Sequence, residues 1–295
     1  MKKIVPFFIG ILLHFLSFAQ ADTIGLHRRL KQHLLFLTND SMKGRSVGTE
    51  EELMAGRYFL KQTKTERKSR VYTWRFTVTK KDSSAVITTM YGRFINNRSP
   101  YTIIVGAHID HIGFGDQLSL SFGSTDIHNG ADDNASGVAL LIELCRTLQS
   151  KKLPFNMLFV PFTAHEIGTF GSEHLASNLP KSLGKVIAML NMDMVGRMNH
   201  IDKTLYVSST DSLINDAEYP FCNIIISDTK RVLQLDTRHF VARGIPSATF
   251  TTGMHLDYHK TSDDEQYINY AGMKATFMII YSWIADNASK KIFRN

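Results

Sequence analysis

Short apolar runs alternate with helical stretches along most of this chain. Strand-like runs occupy residues 71–78, 85–89, 102–107, 157–163, 186–192 and 247–252, and helical periodicity fills residues 136–148, 171–179 and 273–285. Strands that alternate with helices indicate a mostly parallel sheet with helices on both faces. We therefore predict an α/β fold in three layers, α/β/α, in which most strands of the central sheet are parallel.

Two helices are predicted before the sheet. Apolar residues recur at helical spacing over residues 24–37. A second helix should begin near Thr49, because Glu52 follows three residues later in the arrangement of a capping box. The chain contains no linker, internal repeat or low-complexity tract, so we predict one domain.

The N-terminal residues are typical of an export signal. Two lysines precede an apolar run at residues 4–18, and the Ala-Gln-Ala at residues 19–21 supplies small side chains at a cleavage spacing. The run is shorter than the roughly 20 residues of a membrane span, which argues against a transmembrane anchor. We predict a signal peptide at residues 1–21, one mature domain at residues 22–295, and a periplasmic or secreted protein without a stable membrane anchor.

Composition and charge exclude several classes of protein. Hydrophobic residues make up 43% of the chain and charged residues 21%, unlike a disordered or fibrous protein. The net charge is +7, and the basic cluster at residues 61–70 lies outside any nucleic-acid binding motif. We interpret that cluster as a solvated surface and expect no nucleic-acid partner. Cys145 and Cys222 either pair in an oxidising compartment or remain two buried thiols.

Three of the predicted strands end in clusters of polar side chains. These are His108, Asp110 and His111 after the third run, His165 and Glu166 after the fourth, and Asp193 after the fifth. In an open α/β sheet, ligands bind at the carboxyl ends of the strands. We therefore expect the three clusters to line one crevice.

Two further clusters contain the same kinds of side chain. One is Asp132-Asp133-Asn134, before a predicted helix, and the other runs from His255 to His259 after the last strand. Taken singly, each cluster has a structural interpretation, since an Asp-Asp-Asn sequence before a helix is usually an N-cap. Together the five clusters supply histidine and carboxylate groups without cysteine, which is the ligand chemistry of hydrolytic zinc sites.

Six motifs carry a resemblance to a known family. In order they are GAHIDHIG, NGADDNASG, HEIGTFGS, LNMDMVGR, GIPSATFTTG and YHKTSDD. The chain resembles the double-zinc aminopeptidases of metallopeptidase clan MH, peptidase family twenty-eight, over about residues 30–285. The upstream segment KGRSVGTEE is similar to the lead-in of exported bacterial members. The resemblance implies a zinc-exopeptidase-like fold with a mixed, mostly parallel sheet, and a cofactor of two zinc ions.

The resemblance also implies roles for individual residues. His108 and Asp193 would bind one zinc ion, Glu166 and His259 the other, and Asp132 would bridge both. Carboxylates that hydrogen-bond to a ligand histidine fix its orientation, and this role falls to Asp110 for His108 and to Asp263 for His259. Tyr258 matches a residue that helps to stabilise the oxyanion in some members.

The position of the general base departs from the family pattern. The family has a glutamate immediately before the ligand Glu166, and this chain has His165. A neutral imidazole can accept a proton near pH 7, so His165 is a candidate base. The alternative is a damaged or repurposed site, in which His165 coordinates zinc and its lone pair is no longer available.

A second departure lies at residues 235–239. Many relatives have Ser-Asp-His there, and this chain has Asp236 followed by Thr237. His239 either compensates from a shifted position or is a surface loop residue.

Three functions follow from the resemblance. The first is an aminopeptidase that hydrolyses peptide bonds with a metal-activated water, acting on a peptide or a small aminoacyl substrate. The second is a catalytically impaired pseudopeptidase that binds metal or peptide termini, which the exchange at His165 favours. The third is a glutaminyl-cyclase-like enzyme, which would cyclise an N-terminal glutamine.

Overall fold

Eight strands form the centre of the fold. The computed structural model describes residues 23–65, 69–115, 117–210, 213–214, 222–227 and 235–289. The strands are β1 (Ser69–Thr79), β2 (Ala85–Ile95), β3 (Tyr101–His108), β4 (Asn156–Phe162), β5 (Lys185–Met192), β6 (Thr204–Ser209), β7 (Asn223–Ser227) and β8 (Ser247–Thr251). The last strands before β8, which are β6 and β7, were not predicted from the sequence.

The eight strands make one mixed sheet in the order β1-β2-β4-β3-β5-β8-β6-β7. The central pairs β4–β3, β3–β5 and β5–β8 are parallel, as is the pair β6–β7. The pairs β1–β2, β2–β4 and β6–β8 are antiparallel. Parallel pairing at the centre means that β3, β4, β5 and β8 all end at the same edge of the sheet.

The described part of the chain contains six α-helices. They are α1 (Thr23–Leu37), α2 (Glu50–Gln62), α3 (Gly137–Leu148), α4 (Phe170–Ser177), α5 (Arg238–Val241) and α6 (Tyr270–Ser289). Short 3-10 turns also occur at Asp40–Arg45, Lys181–Leu183 and Glu265–Tyr267, and a kinked segment, Ala131–Ser136, leads into α3. A network of helix contacts joins α1, α2, α3 and α6, whereas α4 and α5 contact each other.

The two faces of the sheet pack against different helices because alternate side chains of a strand point to opposite faces. Ile103 and Val105 of β3 belong to the core cluster that includes the leucines of α1 and α3. Ile104, between them, belongs to a second cluster that includes Leu175 of α4 and Phe240 of α5. The predicted three-layer α/β/α fold, with a mixed and mostly parallel sheet, is confirmed.

The capping box predicted at the start of α2 forms with one difference. The Thr49 hydroxyl accepts a hydrogen bond from the backbone N–H of Glu52 at 3.2 Å. The carboxylate of Glu52 accepts from the N–H of Gly48, at 2.8 Å, rather than from that of Thr49. The same carboxylate bonds to Thr163, so the start of α2 is attached to the residue that follows β4.

Several sequence predictions concern the ends of the chain and its cysteines. The predicted signal peptide at residues 1–21 lies outside the described residues. Among the described helices, none is both long enough and apolar enough to span a bilayer. Cys145 and Cys222 are separate buried thiols, which is the second of the two alternatives for them.

The packing of α1 gives a test of the fold with a matched control. Leu34 is fully buried, whereas its neighbour Leu35 is 49% exposed. We expect Leu34→Ala to lower the free energy of unfolding by about 2–5 kcal/mol, because it removes buried methyl groups and leaves a cavity. Leu35→Ala should change it by less than about 0.5 kcal/mol. Denaturant unfolding of both variants checks this, and equal losses would contradict the described position of α1.

Candidate metal centre

His108 is the last residue of β3, and its imidazole is fully buried. The ring Nδ1 lies 3.1 Å from the backbone carbonyl oxygen of Asp110. A carbonyl oxygen only accepts, so Nδ1 donates and Nε2 carries the lone pair in the neutral ring. Nε2 lies 3.1 Å from Oδ1 of Asp133 and 3.7 Å from Oδ1 of Asp193. A lone pair therefore faces two carboxylate groups.

His259 repeats this arrangement on the other side of Asp133. Its Nδ1 donates to the carbonyl oxygen of Leu118 at 3.0 Å. Its Nε2 lies 3.3 Å from Oδ2 of Asp133 and 3.1 Å from Oε2 of Glu166. Burial lowers the pKa of His259, but the two carboxylates outweigh burial and raise this pKa to about 10. The site thus favours positive charge at Nε2, which a proton or a metal ion can supply.

Asp133, and not Asp132, lies between His108 and His259, where the sequence predicts a bridging carboxylate. Oδ1 of Asp132 accepts hydrogen bonds from the backbone N–H of Gly196 and the hydroxyl of Ser136, and its Oδ2 lies 3.3 Å from Nε2 of His255. Asp132 therefore faces away from His108. The two aspartates are adjacent, and consecutive side chains of the kinked segment point in different directions, so the sequence motif could not show which of them faces the histidines.

Asp193 and Glu166 lie where the sequence predicts them, each just after a strand. Asp193 follows β5, and its backbone N–H donates to the carbonyl oxygen of Phe250 in β8 at 3.0 Å. Glu166 lies near His259, and its Oε1 accepts a hydrogen bond from Nδ1 of His111 at 2.9 Å. His111 was named in the strand-end cluster but was assigned no role. Its position three residues after His108 was the available signal.

The two carboxylates predicted to orient the histidine rings hold the main chain instead. The side chain of Asp110 accepts from the backbone N–H groups of His165 and Glu166, at 3.0 and 3.1 Å. The side chain of Asp263 accepts from the backbone N–H groups of Asp132 and Asp133, at 2.9 and 3.0 Å. The rings of His108 and His259 are oriented by backbone carbonyl oxygens, so the predicted contacts of both aspartate side chains were wrong.

His165 lies beside the predicted ligands and has a buried partner. Its ring stacks on that of His108, with 3.9 Å between centroids and 8° between planes. Its Nδ1 is 2.9 Å from Oδ2 of Asp236, which is fully buried. Burial raises the pKa of Asp236, but the interaction with His165 outweighs this and lowers the pKa below its usual value. Burial and the neighbouring His108 lower the pKa of His165, but the carboxylates of Asp236 and Asp193 outweigh them and raise this pKa to about 9. In the neutral ring, Nδ1 donates to Asp236, and Nε2 has the lone pair and lies 3.9 Å from Oδ2 of Asp193.

His239 does not compensate for the missing histidine of the second departure. Its Nε2 accepts a hydrogen bond from Nε of Arg238 at 3.0 Å and lies 2.8 Å from the hydroxyl oxygen of Thr169. Thr237 stands where many relatives have histidine, and its hydroxyl oxygen lies 3.2 Å from that of Thr249. Of residues 235–239, Asp236 is the one that contacts His165.

Tyr258 lies against a predicted ligand. Its ring stacks on that of His259, with 3.9 Å between centroids. Burial, followed by the nearby carboxylates of Asp133, Glu166 and Asp193, raises the pKa of Tyr258 above its usual value. The phenol therefore stays protonated near neutral pH and can donate a hydrogen bond.

The residues of this site fit divalent metal ions. The buried side-chain atoms without a hydrogen-bond partner in the described part of the chain include Nε2 of His108, His111 and His259, and Oδ2 of Asp193. Two ligands of one tetrahedral zinc ion, each about 2.0–2.1 Å from it, lie roughly 3.3 Å apart. The measured separations between histidine nitrogens and carboxylate oxygens range from 3.1 to 3.9 Å. Two groups are close enough to share an ion: His108, His165 and Asp193, and His108, Asp133 and Glu166.

A family model decides the wider relationship. Residues 89–284 match the model described as peptidase family M28. The chain belongs to peptidase family M28. Among curated relatives, this M28 chain is 30% identical over 217 residues to the probable leucine aminopeptidase 1 of Trichophyton verrucosum. That match covers 66% of this chain and 56% of the relative, so the chain spans just over half of the relative's length.

Solved structures share the fold of this M28 chain at low sequence identity. BSAP, a zinc aminopeptidase from Bacillus subtilis, has a TM-score of 0.71 and 15% identity, and the match covers 88% of this chain and 95% of that chain. A Porphyromonas gingivalis glutaminyl cyclase has a TM-score of 0.74 and 17% identity, and covers 88% of this chain and 98% of its own. These likenesses show the fold alone.

A comparison of two variants tests whether Asp133, rather than Asp132, contributes to metal binding. We expect Asp133→Asn to weaken zinc binding by this M28 chain much more than Asp132→Asn, because only the Asp133 carboxylate lies between His108 and His259. Titration of the folded, metal-free proteins against a chromophoric chelator measures the affinity, and circular dichroism checks that both variants fold. A greater loss in Asp132→Asn would restore the original assignment.

Proposed function

We propose that this chain is a zinc-dependent metallopeptidase that removes N-terminal residues from peptides. The observation that carries the proposal is the carboxylate of Asp133, whose two oxygens lie 3.1 Å from Nε2 of His108 and 3.3 Å from Nε2 of His259. A carboxylate shared in this way suits two metal ions. The names of the relatives, a probable leucine aminopeptidase and a zinc aminopeptidase, support the reaction and the metal.

We assign two zinc ions to five side chains. One ion would be held by His108, Asp193 and Asp133, and the other by His259, Glu166 and Asp133. Zinc pairs of this kind lower the pKa of a water molecule, polarise the scissile carbonyl group and stabilise the developing oxyanion. The carboxylates and imidazoles of this chain would hold both ions inside a buried, polar crevice.

His165 is the proposed general base. In the neutral ring, Nδ1 donates to Asp236, and Nε2 can accept the proton that the attacking water gives up. The positive charge of two bound zinc ions would favour this neutral form of the imidazole. A carboxylate behind the imidazole also stabilises the positive charge that the ring acquires. Tyr258, which remains a phenol, is the proposed hydrogen-bond donor to the oxyanion.

The setting of the reaction follows from the sequence. Residues 1–21 have the pattern of a signal peptide, so we propose that the mature enzyme acts on peptides or small aminoacyl compounds in the periplasm or outside the cell.

A second candidate function is non-catalytic binding of metal or peptide termini. It is favoured by the ligand atoms of His108, His165 and Asp193, which all lie within 4.8 Å of one another. If His165 coordinates the ion through Nε2, its lone pair cannot accept a proton. His165 would then be a metal ligand, and the site would have no general base.

Paired measurements on His165 distinguish these functions. With two zinc ions bound, the unmodified protein should hydrolyse a panel of aminoacyl substrates and peptides. We expect His165→Ala to lower kcat by about 10²–10⁴-fold at unchanged zinc content, because it removes the base and not a ligand. His174→Ala is the matched control, since His174 stacks on Phe76 and hydrogen-bonds to none of the ligands.

Other outcomes favour the other candidates. Zinc binding without turnover in the unmodified protein, combined with activity in His165→Glu, supports the non-catalytic function. A loss of zinc in His165→Ala identifies His165 as a ligand. Cyclisation of a peptide with N-terminal glutamine would assign the chain to glutaminyl cyclase chemistry.

A further inference from the structure

Arg45 is a buried cation whose role is not explained by the proposed reaction. It belongs to the KGRSVGTEE segment, and its side chain is 1% exposed. The guanidinium donates to four backbone carbonyl oxygens: Nε to Ile109 at 3.0 Å, Nη1 to Leu37 at 2.5 Å and to Asn129 at 2.8 Å, and Nη2 to Gly130 at 3.1 Å. All of its described hydrogen bonds therefore hold main chain.

Three of these four carbonyl groups lie next to the metal centre in sequence. Ile109 lies between His108 and Asp110, and Asn129 and Gly130 directly precede the kinked segment that contains Asp133. Arg45 thus connects the end of β3 to the loop that leads to the shared carboxylate. A displacement of either loop would change the separation between Nε2 of His108 and Oδ1 of Asp133, which is 3.1 Å.

The backbone around Arg45 lies against the same loop. The N–H of His111 donates to the carbonyl oxygen of Arg45 at 3.3 Å, and the N–H of Gly113 donates to that of Gly44 at 3.2 Å. Gly44 has a φ of +64°, and a Cβ at this position would lie 2.4 Å from the carbonyl oxygen of His128. Only glycine permits this close approach, so the segment at Gly44 and Arg45 packs tightly against the chain at Gly113 and His128.

Charge and shape explain why the residue is arginine. A planar guanidinium offers five N–H donors in a fixed fork, whereas lysine offers one compact ammonium group. Burial lowers the pKa of Arg45 to about 10, while Asp133, Asp110, Asp263 and Glu166 oppose this. The side chain therefore remains a cation near neutral pH.

We propose that Arg45 is a positioning residue of the metal centre, which fixes the main chain on either side of the gap between His108 and Asp133. The proposal rests on the metal centre assigned under the proposed function. The positive charge of Arg45 repels a divalent cation, so through its charge alone Arg45 would weaken metal binding. A positioning role predicts that replacing Arg45 lowers zinc affinity, because losing the four hydrogen bonds misplaces the ligands.

The test compares Arg45 with a second buried arginine. Arg93 is 8% exposed and donates to the carbonyl oxygen of Leu60 at 3.0 Å and the hydroxyl of Thr63 at 3.4 Å, which are not ligands. Zinc affinity is measured by chelator competition on the folded, metal-free full chain of Arg45→Lys, Arg45→Met, Arg93→Lys and Arg93→Met. Thermal unfolding of the same samples measures stability, and the visible spectrum of the Co²⁺ form reports ligand geometry.

We expect both Arg45 variants to bind zinc about 10–100-fold more weakly and to have an altered Co²⁺ spectrum, as for other partners outside the ligand shell. The Arg93 variants should unfold at lower temperature with zinc affinity and spectrum unchanged. If Arg45→Met does not fold, Arg45→Lys decides the comparison, because it keeps the charge and loses the fork.

Three results would overturn the proposal. One is zinc affinity in the Arg45 variants equal to or greater than that of the parent, and another is an equal loss in the Arg93 variants, which would indicate general destabilisation. A parent protein that binds no zinc would overturn both this proposal and the metal-dependent function. A parent that binds zinc but cleaves no peptide would contradict the proposed function alone, since affinity is measured without turnover.

Discussion

Buried charged side chains hold the main chain of the loops that carry the predicted ligands, and the geometry of the site depends on those hydrogen bonds. Asp110 binds two N–H groups after β4, Asp263 binds two N–H groups in the kinked segment, and Arg45 binds carbonyl groups just after β3 and just before the kinked segment. A charged group is costly to bury unless it is fully hydrogen-bonded. Main-chain groups in irregular loops also need partners, so each satisfies the other. These hydrogen bonds therefore hold the loops in place independently of the predicted ligand side chains.

The central sheet brings distant parts of the sequence to one edge. His108 ends β3, and Glu166 and Asp193 follow β4 and β5, which are the parallel neighbours of β3. The segment with His259 follows β8, which lies beside β5. This much could be predicted, because apolar runs followed by polar clusters are visible in the sequence and parallel strands end together. The strands β6 and β7 were missed. They are short, and the pairing of β7 with β6 and of β6 with β8 is a tertiary contact that periodicity does not reveal.

The finer features of the site depend on atoms rather than residue types. The motif around Asp132 and Asp133 identified the segment, but the choice between two adjacent carboxylates depends on the kink of the backbone. Asp110 and Asp263 were recognised as important, yet their bonds go to N–H groups that any residue would supply. His165 was recognised as a departure from the family pattern, and the structure adds its buried partner Asp236, which lies 71 positions away.

The segment at Gly44 and Arg45 shows that contacts to the candidate site extend upstream of the region that matches the family model. The region that matches the family model starts at residue 89, whereas Arg45 lies upstream of it, as do α1 and α2. The leucines of α1 are buried in the same core cluster as α3 and β3, and Arg45 braces the loops beside the centre. A fragment cut at the family boundary would lose part of its core and the brace together. The hydrophobic core thus extends beyond the stretch that defines membership of the family.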